Sequence, residues 1–435
     1  MRQPPFDRTA AGHQLLERVQ VLGRHSDAAG HYTRTFLTPA HQAAARQIAH
    51  WMREAGMEVR VDAVGNVIGR YAAAAETRDG PGIAPSPNSV LLLGSHFDSV
   101  RNGGKYDGVL GILVPIACVA QLNQAGERLD YAIEVAAFSD EEGARFQTSF
   151  LSSRAMIGRF DPAVLDRRDA DGVSFVDAMR AAGLDPAKIG EAGIDTTSLA
   201  AYVEVHIEQG PVLLKEGRPL GVVTSIAGGS RHLFTVRGEA GHAGTVPMPM
   251  RRDALAAAAE MVLAIESRCS AGGSLVGTVG ILKVRDGTGN VIPGEVEFTC
   301  DIRAADDVAR KAAEADVIAK LEAIAARRGV ELARKPTHEV RAAPCAAWLQ
   351  DRLAASVERV LSRDGNRRAA RRLPSGAGHD AMVMAEVTDA GMLFVRCGAG
   401  GVSHNPAETV SEEDAGAAAE ALLDFLRVFE PRSSR

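Results

Sequence analysis

The stretch Gly94-Ser95-His96-Phe97-Asp98-Ser99-Val100-Arg101-Asn102-Gly103-Gly104-Lys105-Tyr106-Asp107-Gly108 joins one apolar run, Ser89 to Leu93, to another, Val109 to Leu122. The first run reads as a strand and the second as a helix, so the crossing carries His96, Asp98 and Asp107 at a strand end. Ligands collect outside the carboxyl ends of strands in open α/β sheets. The stretch is therefore the first candidate for the core of a two-metal hydrolytic site.

Working outward, strands and helices alternate: strand 90–95, helix 108–124, strand 131–138 and a helical patch from Ser149 to Arg159. That alternation predicts parallel pairing with helices covering the sheet. Upstream, Thr38-Pro39, apolar residues at helical spacing (Ala43, Ile48, Trp51, Met52) and Gly56 read as an N-cap, a helix and its terminating glycine. Met57–Val61 and Val67–Tyr71 read as a short strand pair, and Ala72–Asn88 as a surface loop rich in Ala, Gly and Pro. Asp161–Ser198 holds short helical pieces such as Phe175–Ala182, before strand patterning returns at Ala201–Ile207 and Gly221–Ile226.

Beyond Ile226 the pattern changes to strand (His232–Arg237), helix (Met250–Arg268), strands (Leu275–Val284 and Glu295–Arg303), helix (Asp307–Arg328) and strand (Val330–Arg334). This is the ferredoxin-like split order, and it predicts a second domain at 227–340 inserted into a first at 1–226 and 341–435. Helices at 345–361, 379–386 and 412–427 and strands at 370–373 and 391–396 would complete the first sheet.

The chain has 435 residues, 46% hydrophobic and 24% charged, which suits a two-domain globular protein. A net charge of -6 gives no reason to expect nucleic acid or an anionic membrane as partner. Cys118, Cys269, Cys300, Cys345 and Cys397 form no CxxC pair and sit in or beside apolar runs, which reads as buried free thiols in a reducing compartment. With a polar start and no apolar run long enough to span a bilayer, a cytoplasmic protein is the expectation.

His96 and Asp98, two apart on a strand end, point to the same side, and a carboxylate there can orient a ligating imidazole. Asp107 opens the following helix, where a carboxylate is also a common N-cap. A second cluster, Ser139-Asp140-Glu141-Glu142-Gly143, follows the apolar run Ile133–Phe138. Adjacent acids repel, and a cation relieves them. Glu141 and Glu142 point to opposite sides of extended backbone, so one can ligate while the other handles protons. A solvated acidic turn is the alternative. His206, in Val205-His206-Ile207-Glu208-Gln209-Gly210, and His404, in Gly401-Val402-Ser403-His404-Asn405-Pro406, also end apolar runs. His96, Asp107, Glu142, His206 and His404 would supply imidazoles and carboxylates suited to zinc, manganese or cobalt.

In order along the chain these motifs, with Gly241-His242-Ala243-Gly244-Thr245-Val246-Pro247-Met248, Asn290-Val291-Ile292-Pro293 and Ser375-Gly376-Ala377-Gly378-His379-Asp380-Ala381, resemble a known family from about Thr38 to Leu426. It is that of the dinuclear amidohydrolases of N-carbamoyl-L-amino acids, β-ureidopropionate and allantoate, within the aminoacylase and metallo-carboxypeptidase group. The resemblance implies a metallo-aminopeptidase-like catalytic domain and an inserted ferredoxin-like lid and dimerisation domain. It implies two divalent ions on His96, Asp107 (bridging), Glu142, His206 and His404, with Glu141 as general base and Asp98 behind His96. It further implies that His242 stabilises the oxyanion, reaching the partner subunit's site in a homodimer. Asn290 and Arg303 would hold the substrate carboxylate, with Gln209, Gly376, Ala377 and Gly378 lining the pocket.

From the residues alone, His242 sits in a glycine-flanked loop, accessible either as a donor or as a surface histidine with no role. Arg303 ends an apolar strand, suited to bidentate carboxylate recognition or to a salt bridge with Asp301 or Asp306. The expected reaction is hydrolysis of a terminal ureido group to an L-amino acid, ammonia and carbon dioxide. Allantoate or β-ureidopropionate is the alternative substrate, and a non-catalytic metal-stabilised binding protein the remote one.

Overall fold

The computed structural model describes residues 6–78, 89–270, 272–363 and 368–432. The chain divides into two compact units, one made of residues up to 224 with 345–373 and 379 onward, the other of 225–344 with 374–378. The short segment Pro374–Gly378, which the sequence reading leaves in the first domain, thus belongs to the second unit.

The first unit begins with α1 (Arg8–Gly23), which the sequence reading does not anticipate, and α2 (Pro39–Glu54). Thr38 Oγ1 caps α2 from 3.3 Å on the His41 amide, and the helix buries His41, Ala44, Ile48, Ala49, Trp51 and Met52. Next come β1 (Glu58–Val61), β2 (Val67–Tyr71) and α3 (Ala74–Arg78). α3 lies within the expected loop 72–88, whose remainder from 79 to 88 is outside the described residues. Then follow β3 (Val90–His96), α4 (Val109–Gln124), β4 (Ala132–Phe138), α5 (Leu151–Met156), α6 (Phe175–Ala181), β5 (Leu199–Ile207), α7 (Val212–Glu216) and β6 (Leu220–Ile226).

The second unit holds β7 (Gly228–Arg237), β8 (Gly241–His242), α8 (Ala254–Cys269), β9 (Val276–Thr278), β10 (Leu282–Val284), β11 (Val291–Ile292), β12 (Glu295–Ala304), α9 (Asp307–Arg328), β13 (Glu331–Val340) and β14 (Ala343–Pro344). The chain returns through α10 (Ala347–Ser362), β15 (Arg371–Ser375), α11 (Asp380–Met384), β16 (Ala390–Val395) and α12 (Glu412–Val428).

In the first unit the strands run β1-β2-β4-β3-β5-β16-β6. The central run β4-β3-β5-β16 is parallel, as the alternation from Val90 onward leads one to expect, while β1, β2 and β6 pair antiparallel, so the sheet as a whole is mixed. Every residue of β3 is buried, as a strand covered on both faces requires. α4 covers it with Val109, Leu110, Ile112, Leu113, Ile116 and Val119, all at 1% exposure or less. Each such aliphatic side chain contributes about 1.5–3 kcal/mol on burial. That packing makes the strand ends a firm platform.

In the second unit β7 lies between β12 and β13, and β9 and β10 pair with the far side of β12. β12 alternates buried and part-exposed residues throughout, so one face packs on α8 and α9 through Val296, Phe298, Cys300 and Ile302. The expected strand 275–284 is broken into β9 and β10, and the last strand runs on to Val340. α8 starts at Ala254 rather than Met250, because Asp253 Oδ1 caps it at 2.9 and 3.0 Å on the Leu255 and Ala256 amides. All five cysteines are buried and free. Among the described residues no helix is long and apolar enough to cross a membrane.

Candidate metal centre

Each of the four parallel strands delivers part of one cluster from its carboxyl end. β3 ends on His96 and leads to Asp98 and Asp107, β4 leads to Glu141 and Glu142, β5 contains His206 and leads to Gln209, and the loop after β16 carries His404. The sites are far apart in sequence but adjacent in the sheet, and this adjacency is what the fold contributes.

Asp107 is the junction. Its Oδ1 lies 3.2 Å from His206 Nε2 and 3.7 Å from His96 Nε2, while its Oδ2 lies 3.2 Å from His404 Nε2. His404 Nε2 is also 3.3 Å from Glu142 Oε1. Two sets of side chains therefore share Asp107, His96-Asp107-His206 and Asp107-Glu142-His404, with the ligand atoms of each set within 4.8 Å of one another. A third set, His96, Glu141 and Glu142, meets the same distance and puts Glu141 beside the cluster.

The ring nitrogens are set for ligation. His206 Nδ1 lies 2.8 Å from the Ile207 carbonyl, which can only accept, so Nδ1 carries the proton of the neutral ring and Nε2 presents a lone pair toward Asp107. His96 Nδ1 likewise faces Asp98, 3.2 Å from its carbonyl and 3.4 Å from Oδ1. Asp98 in turn accepts the Glu141 and Glu142 amides at 3.0 and 3.2 Å, which fixes the start of the acidic loop. Buried Asp107 Oδ1 and His206 Nε2 make no aligned hydrogen bond. Two buried polar atoms 3.2 Å apart with no aligned hydrogen bond suit a cation between them. Gln209 and His404 both take left-handed backbone, at φ 55° and 53°, a strain that sites tolerate for placement.

Asp107 is not an N-cap. The cap position is Gly108 at φ 66°, and α4 begins at Val109. A Cβ on Gly108 would lie 2.4 Å from the His96 carbonyl oxygen and 2.6 Å from the ring, so only glycine lets the helix start this close to His96. The Asp107 carboxylate is left to the cluster, where Gln209 Nε2 also donates to Oδ2 at 3.0 Å and Ser403 Oγ lies 3.2 Å from it.

Burial opposes charge on His96, but its contacts with Asp107 and Asp98 outweigh that and hold its pKa well above the ordinary value. His404, hydrogen-bonded first to Asp107 and then to Glu142, is raised to about 10. Glu141 is held well above the usual carboxylate range by burial, against the pull of His96 and with the push of Glu142.

Several further acids surround the cluster; the sequence reading places Asp140 in the acidic run but gives no role to Glu204, Asp380 or Glu408. Glu408 Oε1 accepts the Tyr106 and Asp107 amides at 2.9 and 3.1 Å, and its carboxyl is pushed up to about 6 by burial and by Asp107. Glu204 accepts from Ser95 Oγ at 2.8 Å and the Ala381 amide at 3.0 Å, two residues before His206 on β5. Asp140 and Asp380 are fully buried, and burial followed by neighbouring carboxylates pushes both well up. A carboxylate inside an apolar run is the signal that would have found Glu204.

The remaining expected residues, apart from Gln209, lie in the second unit. His242 and Val291 are register partners of the β8–β11 ladder, and the Ala243 amide donates to the Asn290 carbonyl at 2.9 Å, so His242 and Asn290 are neighbours. Both are exposed. Arg303 pairs with Asp301, from Nε to Oδ1 and from Nη2 to Oδ2, each at 3.1 Å; Asp306 instead caps α9. Its Nη1 donates to the Gly376 carbonyl at 2.8 Å, which brings Arg303 to the Gly376-Ala377-Gly378 segment.

A buried carboxylate shared by two sets of imidazole and acid, with a further acid alongside, makes a cluster that could hold cations. The chain belongs to peptidase family M20/M25/M40, whose model matches residues 92–428. It is 42% identical to an allantoate deiminase of Arabidopsis thaliana, over 95% of this chain and 81% of that one. With an N-carbamoyl-L-amino acid amidohydrolase of Geobacillus stearothermophilus it shares 41% identity, over 94% and 97% of the two chains. A hydantoinase/carbamoylase family amidase from Burkholderia multivorans superposes with a TM-score of 0.86 at 32% identity, covering 97% and 98%.

Proposed function

We propose that the chain hydrolyses the ureido C–N bond of N-carbamoyl-L-amino acids, giving the L-amino acid, ammonia and carbon dioxide. The observation that carries this is Asp107 shared between two ligand sets, with Glu141 beside them and not needed by either. Two divalent ions, zinc or else manganese or cobalt, on His96, Asp107 and His206 and on Asp107, Glu142 and His404, would supply Lewis acidity and lower the pKa of water. Glu141 takes the proton of the attacking water and returns it to the leaving nitrogen, a task its raised pKa suits. Asp98 keeps the His96 ring and the acidic loop in place. Gln209, fixed on Asp107, lines the pocket.

The second unit, with its ferredoxin-like strand order, acts as the lid and dimerisation domain of a homodimer. Its His242 donates to the developing oxyanion, in the partner subunit's site, and Asn290 and Arg303 hold the substrate carboxylate, with Gly376, Ala377 and Gly378 beside them. Pairing of copies is supported by an asymmetry between its edges. β13 carries Arg334, Lys335, a bulge between Pro336 and His338, and Glu339, which discourage pairing. The opposite edge exposes Val276, Ile281 and Leu282 at 53%, 49% and 41%.

Allantoate is the second reading, favoured by the similarity to the Arabidopsis allantoate deiminase. It too offers one carboxylate and ureido groups. Ammonia release from N-carbamoyl-L-methionine, N-carbamoyl-β-alanine and allantoate by metal-reconstituted protein decides. The first as best substrate supports the proposal, allantoate as best supports the second reading, and no release from any overturns both.

A further inference from the structure

The ladder between β3 and β4 ends with His96 opposite Phe138. Just past it the Phe97 amide still donates to the Phe138 carbonyl at 3.0 Å, and then the two strand ends part toward their ligands. One tie across the gap is Asp98, which accepts the Glu141 and Glu142 amides from within the cluster. A second tie lies outside the cluster, on α2. His41, 1% exposed, places Nε2 2.7 Å from the Ser139 carbonyl, and its ring stacks on Phe97 with centroids 4.3 Å apart and planes at 25°.

We propose that His41 is a positioning residue for the metal centre, an inference that rests on the metal reading of the cluster. By donating to Ser139 and stacking on Phe97 it holds the strand end bearing His96 and Asp98 at a set distance from the one bearing Glu141 and Glu142. Both contacts fall within three residues of the groups they position. Ser139 precedes Asp140-Glu141-Glu142, and Phe97 lies between His96 and Asp98.

The geometry accounts for a histidine in particular. The Ser139 carbonyl lies beyond the ladder and needs a donor, and Phe97, fully buried, needs a flat face. A hydroxyl or amide supplies only the first, and phenylalanine only the second. Phe36 packs against the same ring in a T-shaped arrangement, with centroids 5.8 Å apart and planes at 77°. Burial pushes the imidazole pKa down to about 4, so the ring stays neutral and its donor on Ser139 persists at neutral pH. From the opposite direction buried Arg34 donates from Nε to the Phe97 carbonyl at 2.5 Å, so Phe97 is pinned by both its ring and its backbone.

The test compares His41→Phe, which keeps a stacking ring and loses the donor, with His41→Gln, which keeps an N–H near the place of Nε2. A groove of about 390 Å³ beside His41, lined also by Leu37, Ala45, Ala49 and Leu184, gives the phenyl ring room. Metal-free full-length proteins are titrated with cobalt(II), followed by visible absorption, and the loaded proteins are assayed for ammonia release. His41→Phe should bind cobalt about 10- to 100-fold more weakly, the usual cost of losing an outer partner of a metal site. Its visible band should shift, and kcat should fall with little change in KM, because no substrate-binding residue is altered. His41→Gln should recover most of the affinity. Wild-type affinity and spectrum in His41→Phe would overturn the proposal, as would His41→Gln no better than His41→Phe. Absence of cobalt binding by the wild-type protein would instead overturn the metal reading, and the proposal with it.

Discussion

Asp107 Oδ1 and His206 Nε2 stand 3.2 Å apart in the interior, and neither makes an aligned hydrogen bond. Unsatisfied buried polar atoms are costly, so such a pair persists where a cation completes it. The other oxygen of the same carboxylate serves His404. Asp107→Asn should therefore lose both ions together. Metal analysis after dialysis checks this, and one ion retained at wild-type occupancy would contradict the sharing.

Glu141→Gln removes the proton acceptor and leaves the ligand sets whole. Metal content should match wild type while kcat falls by about 10²- to 10⁴-fold, the range expected for a general acid–base group. The paired measurement of metal content and rate separates this role from that of Glu142, whose loss should lower both.

In the metal-free protein His404 is raised from 6.5 to about 10 by Asp107 and Glu142. Because the folded pKa exceeds the unfolded one, the contact stabilises fully below pH 6.5, and its contribution is lost as pH rises toward about 10. A ligating ion must displace that proton, so affinity should increase with pH across this window, by about tenfold per unit for each proton released. Cobalt titrations at several pH values in buffers of different ionisation enthalpy would show it. A pH-independent affinity would contradict the assignment of His404.

Arg310 is completely buried in the second unit, bonded to Asp307 at 2.9 Å, to Ser230 and to Glu339. Arg310→Met removes the partner of part-buried Asp307 and leaves Ser230 without its bond to Arg310, and should cost about 1–3 kcal/mol of stability. Thermal unfolding measures the loss. The metal content of the folded variant should be unchanged, since His96, Asp107, Glu142, His206 and His404 all belong to the first unit.

The cluster-bearing strand ends were legible because each of His96, Glu142, His206 and His404 interrupts or follows an apolar run with a group that burial alone does not favour. What stayed hidden is what tertiary contact decides. Asp107 looks like a helix cap until Gly108, at φ 66°, takes that place. Glu204 stands out inside its apolar run, but its partners Ser95 and Ala381 come from other elements, and the burial of Asp140 and Asp380 is decided by tertiary packing. Pro374–Gly378 joins the second unit through the Arg303 bond to Gly376, a contact between residues 73 apart. Arg303 itself shows why local alternatives had to stay open, since its salt bridge with Asp301 fixes the guanidinium and leaves Nη1 on a backbone carbonyl.

The central claim is that cations held about Asp107 and proton transfer at Glu141 together cleave a ureido bond. It is tested most directly by adding manganese or cobalt stepwise to metal-free protein and following ammonia release from N-carbamoyl-L-methionine. No release is expected without metal, and the rate should climb until about two ions per chain are bound, the capacity of two ligand sets sharing one carboxylate. Full activity in the metal-free protein, or none at any loading with this substrate and with allantoate, would contradict it.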